Sequence, residues 1–510
     1  MQLKEENGQE HICSMSSFSA TENFTVHFET LGCRLNQIET ESAARYFYDC
    51  GFSIHMESAT TKSVLPQNIL LCVVNTCTVT AKAEQKARRL IRLLLRRCPK
   101  SCVLVTGCYA QVEKDDIASI DKRICVLPGL QKDLLIDISN FLKNYVLTNL
   151  CSDSGNDTIL NIDEVSDYVR KICTKPKENI YLTTPPAFRL TTDTFFMHSR
   201  SAIKIQDGCN NSCSYCRIRI ARGKAVSLDA TSVINRVQQL EKQGQHEVVL
   251  TGVNLSQYKG SWENGFVDLV GLLELLLSST NKISFRLSSL YPERIDEKFC
   301  HVIQNARIQP HFHLSVQSGS NKILELMGRS YKDRDILQAV SRLRNVKDNP
   351  FIACDIIVGF PEETDADFQD TMELCKNAQF AWVHVFPFSA RPGTKAYSMN
   401  SQVPQIIANE RAKQLTEFAI ESKCSYISLW KGKVVSAVTE FNRSDRNDFA
   451  PRKTHAVTEN FIHVELPAKF EQGKLLQVKI GEPQISWIKQ GKESEALAEV
   501  VHNEKIFFTG

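Results

Sequence analysis

The chain of 510 residues carries 61 Lys and Arg against 58 Asp and Glu, a net charge of +3, with 42% hydrophobic and 23% charged residues. That length exceeds one ordinary core and predicts about two to four domains of a soluble globular protein. The near-balanced charge excludes a global field for nucleic acid, so such contacts must come from local basic patches, and no apolar run reaches the roughly eighteen residues of a transmembrane helix. Residues 1–23 are polar and acidic and lack the basic start and apolar stretch of a secretory signal, which predicts a cytoplasmic protein without a membrane partner. Eighteen cysteines are many for such a chain, because clustered cytosolic thiols bind metal or do redox chemistry and seldom form disulfides. Cys72, Cys102 and Cys354 lie in apolar strand-like runs and read as small hydrophobes.

From Phe24 a pattern of strand, cysteine loop and helix repeats. Phe24 to Glu29 reads as a strand ending in Leu31-Gly32-Cys33-Arg34-Leu35-Asn36-Gln37, with a helix from Ile38 to Tyr48. Ile69 to Val74 ends in Asn75-Thr76-Cys77-Thr78-Val79-Thr80 and is followed by a helix over Ala81 to Arg97; Cys102 to Val105 ends in Thr106-Gly107-Cys108-Tyr109-Ala110-Gln111. Alternating strands and helices make a parallel sheet whose carboxyl ends open on one edge, so Cys33, Cys77 and Cys108 can meet. Three thiols suit a 4Fe-4S cube with one open iron. Coincidence and a dithiol redox site are the alternatives, the latter without a Cys-x-x-Cys in this region. The helix after Cys77 carries Lys86, Arg88, Arg89, Arg92, Arg96 and Arg97, with Lys100 just beyond, and no intervening acid. This is either a solvated face or a contact for an RNA backbone.

Residues 144–197 mix Ser, Thr, Asp, Lys and Pro and read as a surface linker with one short helix. From His198 six apolar strand candidates centre on Ile203, Val248, Phe285, Phe312, Ile352 and Val383, separated by helical patterns. Six βα units predict an open barrel with its site at the carboxyl ends of the strands. After the first of these strands comes Asp207-Gly208-Cys209-Asn210-Asn211-Ser212-Cys213-Ser214-Tyr215-Cys216, three thiols within eight positions. Three thiolates serve three irons of a 4Fe-4S cube and leave the fourth open for chemistry. A structural zinc usually takes four closed ligands, and no partner knuckle lies nearby; zinc or a chance cluster is the competing reading. Short stretches from Val434 to Ile480, with turns at Asn442-Arg443-Ser444-Asp445 and Glu471-Gln472-Gly473-Lys474, predict a small β-barrel.

The loop Cys209-x-x-x-Cys213-x-x-Cys216 followed by Arg222-Gly223 resembles the radical S-adenosylmethionine (SAM) enzymes, and the three N-terminal cysteine motifs resemble the methylthiotransferase family within them. Gly32-Cys33-Arg34-Leu35-Asn36 is most similar to the branch acting on threonylcarbamoyladenosine in tRNA. The isopentenyladenosine branch typically has Gly-Cys-Gln-Met-Asn there, and the ribosomal-protein branch Gly-Cys-Pro-Lys-Asn. The resemblance implies an α/β fold in three parts: a parallel-sheet domain over 24–143 and, after the linker 144–197, an open (β/α)6 radical SAM barrel over 198–423. A TRAM-like RNA-binding β-barrel follows over 424–488, with Thr458-Glu459-Asn460-Phe461-Ile462 its faint signature, and an appendix over 489–510.

It further implies two 4Fe-4S clusters. An auxiliary one, on Cys33, Cys77 and Cys108, would handle sulfur; a SAM-binding one, on Cys209, Cys213 and Cys216, would give the radical that takes the hydrogen from C2 of the adenine. SAM would be both methyl donor and radical source, contacted by Tyr215, Gly252, Asn254, Gln317 and Gly359. The substrate would be a tRNA anticodon stem-loop whose base leaves the stack, and the reductant a flavodoxin or ferredoxin, with the sulfur donor open. The alternatives are the sister substrates, or a non-catalytic iron-sulfur RNA-binding protein. Two positions depart from the family: Arg219 stands where Pro is usual and Glu362 where Gly is usual, which bears on loop geometry near SAM.

Overall fold

The computed structural model describes residues 21, 23–152, 161–174, 185–191, 200–440 and 453–501, and the turn expected at Asn442 to Asp445 lies outside them. Contacts divide the described chain into two compact units. One is built from residues up to Gly32, Glu39–Cys77 and the stretch from Glu84 to 174; the other takes Cys33–Ile38, Thr78–Ala83 and the described residues from 185 onward.

The first unit is a parallel sheet. Its strands are β1 (Thr25–Thr30), β2 (Ser53–His55), β3 (Ile69–Thr76), β4 (Cys102–Gly107) and β5 (Ile124–Val126), in the order β2-β1-β3-β4-β5. β3 and β4 are buried at every position, as continuous apolar runs in a sheet covered on both faces must be. Helix α1 (Arg34–Asp49) follows β1, starting four residues before the expected Ile38, and α2 (Ala81–Arg97) follows β3 at the expected bounds. Where a linker with one short helix was expected, α3 (Leu134–Ser152) runs on past Asn144 and α4 (Ile162–Cys173) follows. Asn161 caps α4, accepting from the backbone N–H of Asp163 and Glu164, and Val165, Val169, Ile172 and Cys173 are buried on one face. That is the spacing of an amphipathic helix packed on a core.

The second unit holds six parallel strands at the predicted centres: β6 (Ser201–Lys204), β7 (Glu247–Thr251), β8 (Ser284–Leu287), β9 (His311–Gln317), β10 (Phe351–Val358) and β11 (Trp382–Pro387). They form two three-stranded sheets, β8-β7-β6 and β9-β10-β11, joined by single bridges at Phe285 to Ile308 and Leu290 to Leu314. One continuous apolar core, from Ile203 through Leu250, Phe312 and Ile356, packs these strands under helices such as α5 (Ala230–Lys242) and α6 (Asp365–Ala378). The long helix α7 (Gln405–Trp430) then leads into a closed five-stranded barrel. Its strands are β12 (Val434–Thr439), β13 (Thr454–Thr458), β14 (His463–Leu466), β15 (Leu475–Pro483) and β16 (Ala496–Val500). β16 falls in the stretch read as an appendix, yet it closes the barrel by pairing parallel to β14 and antiparallel to β15. Its small Ala496 and Ala498 are buried while Leu497 is 44% exposed, so the inward face is legible only once the partner strands are known.

Candidate functional site

The sheet of the first unit places Cys77 and Cys108 at neighbouring strand ends. β1, β3 and β4 are parallel neighbours, with Thr30 opposite Asn75 and Thr76 opposite Gly107. Cys77 and Cys108 are each the residue after that last pair, and Cys33 follows Leu31 and a positive-φ Gly32 at 107°. Gly107 has φ +100°, and a Cβ there would overlap the backbone of Thr76. Only glycine lets the two cysteine-bearing turns approach so closely. Cys77 and Cys108 are buried, whereas Cys33 is exposed.

The loop of Cys209, Cys213 and Cys216 is held from both sides within the second unit. Asp207 accepts from the Gly208 N–H at 2.8 Å, from Lys204 Nζ at 3.1 Å and from Arg222 Nη1 at 3.0 Å, and Arg222 Nη2 reaches Asn36 Oδ1 at 2.7 Å. Gly208 has φ +67° and no room for a Cβ against Lys224. Downstream, the Asn210 N–H donates to Gln257 Oε1 at 2.9 Å and the Ser214 N–H to the Met327 carbonyl at 3.0 Å. The Ile218 N–H points at Cys216 Sγ, 3.4 Å away. The three thiols feel one another. Burial pushes Cys216 up to about 11, with Cys213 and Cys209 adding to the rise, and burial likewise raises Cys209 while the Asn254 amide opposes it.

Among the described residues no group of three or more His, Cys, Asp or Glu is disposed to hold a single metal ion. A cube takes each thiolate on a different iron, so its sulfurs stand wider apart than the ligands of one ion. The donors around the loop fit such a group. Nε and Nη1 of Arg329 are buried and have no hydrogen-bond partner. Burial alone would lower Arg329; Tyr215, Tyr331, Tyr291 and Cys213 nevertheless hold it well above its ordinary value. Unpaired donors beside thiolates suit an anionic cluster or a carboxylate bound to it.

The five residues expected to contact SAM lie at four strand ends. Tyr215 donates to Gln317 Oε1 at 2.9 Å, and Arg329 donates to the same phenol oxygen. Gln317 carries φ 73°, an unusual conformation for a non-glycine residue that ends β9. A Cβ at Gly252 would press on Gln206 at 2.9 Å, and Gln206 Oε1 accepts from the Asn254 N–H at 2.8 Å. Gly359, at φ 73°, donates its N–H to Glu363 Oε2 at 2.6 Å. The two departures now have physical readings. Arg219 is exposed in the first turn of a short helix, Ile218–Arg222, where proline would be tolerated and is not required. Glu362 has φ 68° and is exposed, which is why glycine is the natural residue there.

Sequence reasoning missed a cavity of about 700 Å³ lined wholly by the second unit. Alternate residues of the parallel strands face it: His311 and His313 of β9, Phe351, Ala353 and Asp355 of β10, Trp382, His384 and Phe386 of β11. The signal was a period of two that puts imidazoles and indole inside a barrel. His313 bridges Ser289 Oγ at 3.0 Å and Asp355 Oδ1 at 3.3 Å. Trp382 Nε1 donates to His384 Nδ1 at 3.2 Å, and burial lowers His384 to about 4, with His313 adding. Cys33 and Arg34 also line this cavity.

On α2, Lys82, Lys86, Arg89, Arg92 and Arg96 are exposed, one per helical turn along a single stripe. None forms an ion pair among the described residues, whereas Arg88 is tied to Tyr109 Oη at 2.8 Å and Arg97 to the carbonyls of Thr60 and Thr61 at 3.0 Å. No described helix is long and apolar enough to cross a membrane.

Residues 203–375 match the Radical SAM superfamily and residues 25–129 the family described as Uncharacterized protein family UPF0004. Over 448 residues the chain is 46% identical to the threonylcarbamoyladenosine tRNA methylthiotransferase MtaB of Treponema pallidum, covering 82% of this chain and 91% of that protein. It is 33% identical to the MtaB of Aquifex aeolicus, over 89% of this chain and the whole of that protein. Identity to the tRNA-2-methylthio-N(6)-dimethylallyladenosine synthase of Clostridium tetani is 28%, over 92% of this chain and 96% of that protein.

Proposed function

This chain belongs to the threonylcarbamoyladenosine tRNA methylthiotransferase family of radical SAM enzymes, and we propose that it adds a methylthio group to C2 of N6-threonylcarbamoyladenosine 3′ of the tRNA anticodon. The observation that carries this reading is the 46% identity sustained over 91% of the Treponema relative, against 28% for a dimethylallyladenosine synthase. Cys209, Cys213 and Cys216 would hold one 4Fe-4S cluster and Cys33, Cys77 and Cys108 the other. When bound, the clusters supply one-electron chemistry and a sulfur-binding iron, and SAM supplies the radical and the methyl group. Radical chemistry suits the target, because an aromatic C–H offers a general base no useful acidity.

The protein's own residues would do the positioning. Asp207, Arg222, Gln257 and Met327 fix the three-thiol loop by hydrogen bonds on either side of it. Tyr215, Gly252, Asn254, Gln317 and Gly359 would line the SAM site, with Arg329 placing a fixed positive charge beside it. The cavity is of a size that takes a small ligand, and its aromatic walls would stack on the adenine once the base has left the anticodon loop and exclude water around it. The stripe from Lys82 to Arg96 and the C-terminal barrel would hold the RNA backbone. A flavodoxin or ferredoxin would deliver electrons, a separate donor the sulfur, and the reaction would take place in the cytoplasm. The direct test is mass spectrometry of tRNA nucleosides from cells with and without this protein. The methylthiolated threonylcarbamoyladenosine should vanish on deletion; its persistence with no second enzyme to supply it defeats the reading.

A further inference from the structure

The threonylcarbamoyl group differs from an isopentenyl group in its ureido unit, which offers N–H donors and a carbonyl acceptor next to the adenine. An enzyme that selects it needs an acceptor and a donor held side by side where that unit sits. β10 and β11 supply such a pair. They run parallel with Asp355 opposite His384, so the two side chains rise from one face of the sheet, about 5 Å apart at the backbone. Both line the cavity.

Hydrogen bonds on either side fix which member donates and which accepts. Trp382 Nε1 donates to His384 Nδ1 at 3.2 Å, and an indole nitrogen can only donate. His384 Nδ1 must accept, so the neutral imidazole carries its proton on Nε2. Burial, with His313 and Lys423 adding, holds His384 down to about 4 against the pull of Asp355, which keeps the ring neutral. Trp382 is itself seated by Lys423, whose Nζ lies 4.5 Å from its ring centre. Asp355 is set from the other side. His313 Nε2 lies 3.3 Å from Asp355 Oδ1, and His313 Nδ1 lies 3.0 Å from Ser289 Oγ. A carboxylate only accepts, so Nε2 donates to it and Nδ1 accepts from the serine hydroxyl. The Asp355 side chain is 28% exposed and its Oδ2 meets no donor among the described residues. The cavity wall thus presents a fixed N–H of His384 beside an open carboxylate oxygen of Asp355.

We propose that His384 and Asp355 are specificity-determining residues that read the ureido unit of the target nucleotide, His384 Nε2 donating to its carbonyl and Asp355 accepting from its N–H. This rests on the function proposed above and names the part of the substrate that the cavity reads. Trp382, His313 and Ser289 are positioning residues, each fixing the tautomer or the orientation of one member of the pair. Beyond N6 an isopentenyl group is hydrocarbon. Against the same wall it would strip both groups of water and leave them unpaired, so the pair rejects that substituent as well as accepting the ureido one.

The test measures, on full-length reconstituted enzyme without SAM, the affinity for anticodon stem-loop RNAs bearing threonylcarbamoyladenosine or isopentenyladenosine; methylthiolation of the first RNA is followed separately. Wild type should favour the threonylcarbamoyl RNA. That preference should fall about 3- to 10-fold in His384→Phe, which keeps a ring and loses the donor, and by a similar factor in Asp355→Ala. His384→Gln, whose amide still donates, should recover part of it. Trp382→Phe, which leaves the tautomer unfixed, should lose about 2- to 3-fold. A wild-type preference in His384→Phe, or an equal weakening on both RNAs, would overturn the assignment. A wild type that shows the preference yet never methylthiolates its favoured RNA would sink the underlying function instead, and a wild type without the preference would sink the pair.

Discussion

The two sets of three cysteines differ in how the chain carries them. Cys209, Cys213 and Cys216 share one loop of eight positions, fixed by backbone hydrogen bonds to Met327 and Gly223 and by side chains of the same unit. Cys33, Cys77 and Cys108 are spread over 76 positions and follow the ends of three strands, β1, β3 and β4, that pair in register. A local set survives as long as its loop does, whereas a dispersed set depends on a whole sheet being correctly paired. Cys33 also lines the cavity of the second unit.

The largest effects should separate the roles of the two sets. Cys213→Ala is expected to abolish SAM cleavage altogether, while Cys77→Ala should leave cleavage and abolish methylthiolation; retention of methylthiolation in Cys77→Ala would break the division of labour. Next come the glycines on which each set leans. Gly107→Ala forces a Cβ into Thr76 at φ +100°, and Gly208→Ala forces one into Lys224 at φ +67°. Each should cost about 2 to 4 kcal/mol in urea titrations of the apoprotein. After reconstitution each should lose iron from its own set only, and loss from both would show that the sets are not independent.

How far each set was legible follows from the same contrast. Three thiols in one loop announce themselves by spacing alone. The dispersed set was readable because continuous apolar runs predicted parallel strands at Ile69 and Cys102, and parallel strands fix which ends share an edge. One short helix was expected between 144 and 197, but not its bounds, because Asp163, Glu164 and Asp167 interrupt the apolar stripe of Ile162–Cys173. β16 was missed since its pairing with β14 joins residues about thirty positions apart in sequence, and nothing local announces it. The cavity was hidden for a related reason: its lining comes from alternate positions on strands whose relative tilt the sequence does not state.

Smaller effects sharpen the picture of how RNA reaches these sites. Replacing Lys86, Arg89 and Arg92 together by Ala should weaken tRNA binding and flatten the plot of log affinity against log salt by about 2, some 0.7 for each phosphate no longer neutralised. An unchanged slope would return the stripe to ordinary solvation. The smallest effect is Glu362→Gly, which should stabilise the fold by about 1 kcal/mol by relieving the left-handed backbone at φ 68°. A loss of stability would mean that the glutamate side chain contributes more than its strain costs.

Two separate three-thiolate cubes in one chain have a direct chemical signature. Iron and sulfide content of anaerobically reconstituted protein tests for them most directly, measured on the wild type, on the triple Ala variant at Cys33, Cys77 and Cys108, and on that at Cys209, Cys213 and Cys216. The account predicts about eight of each per wild-type chain and about four in either triple variant. A wild type with four, or a triple variant that keeps eight, would contradict it.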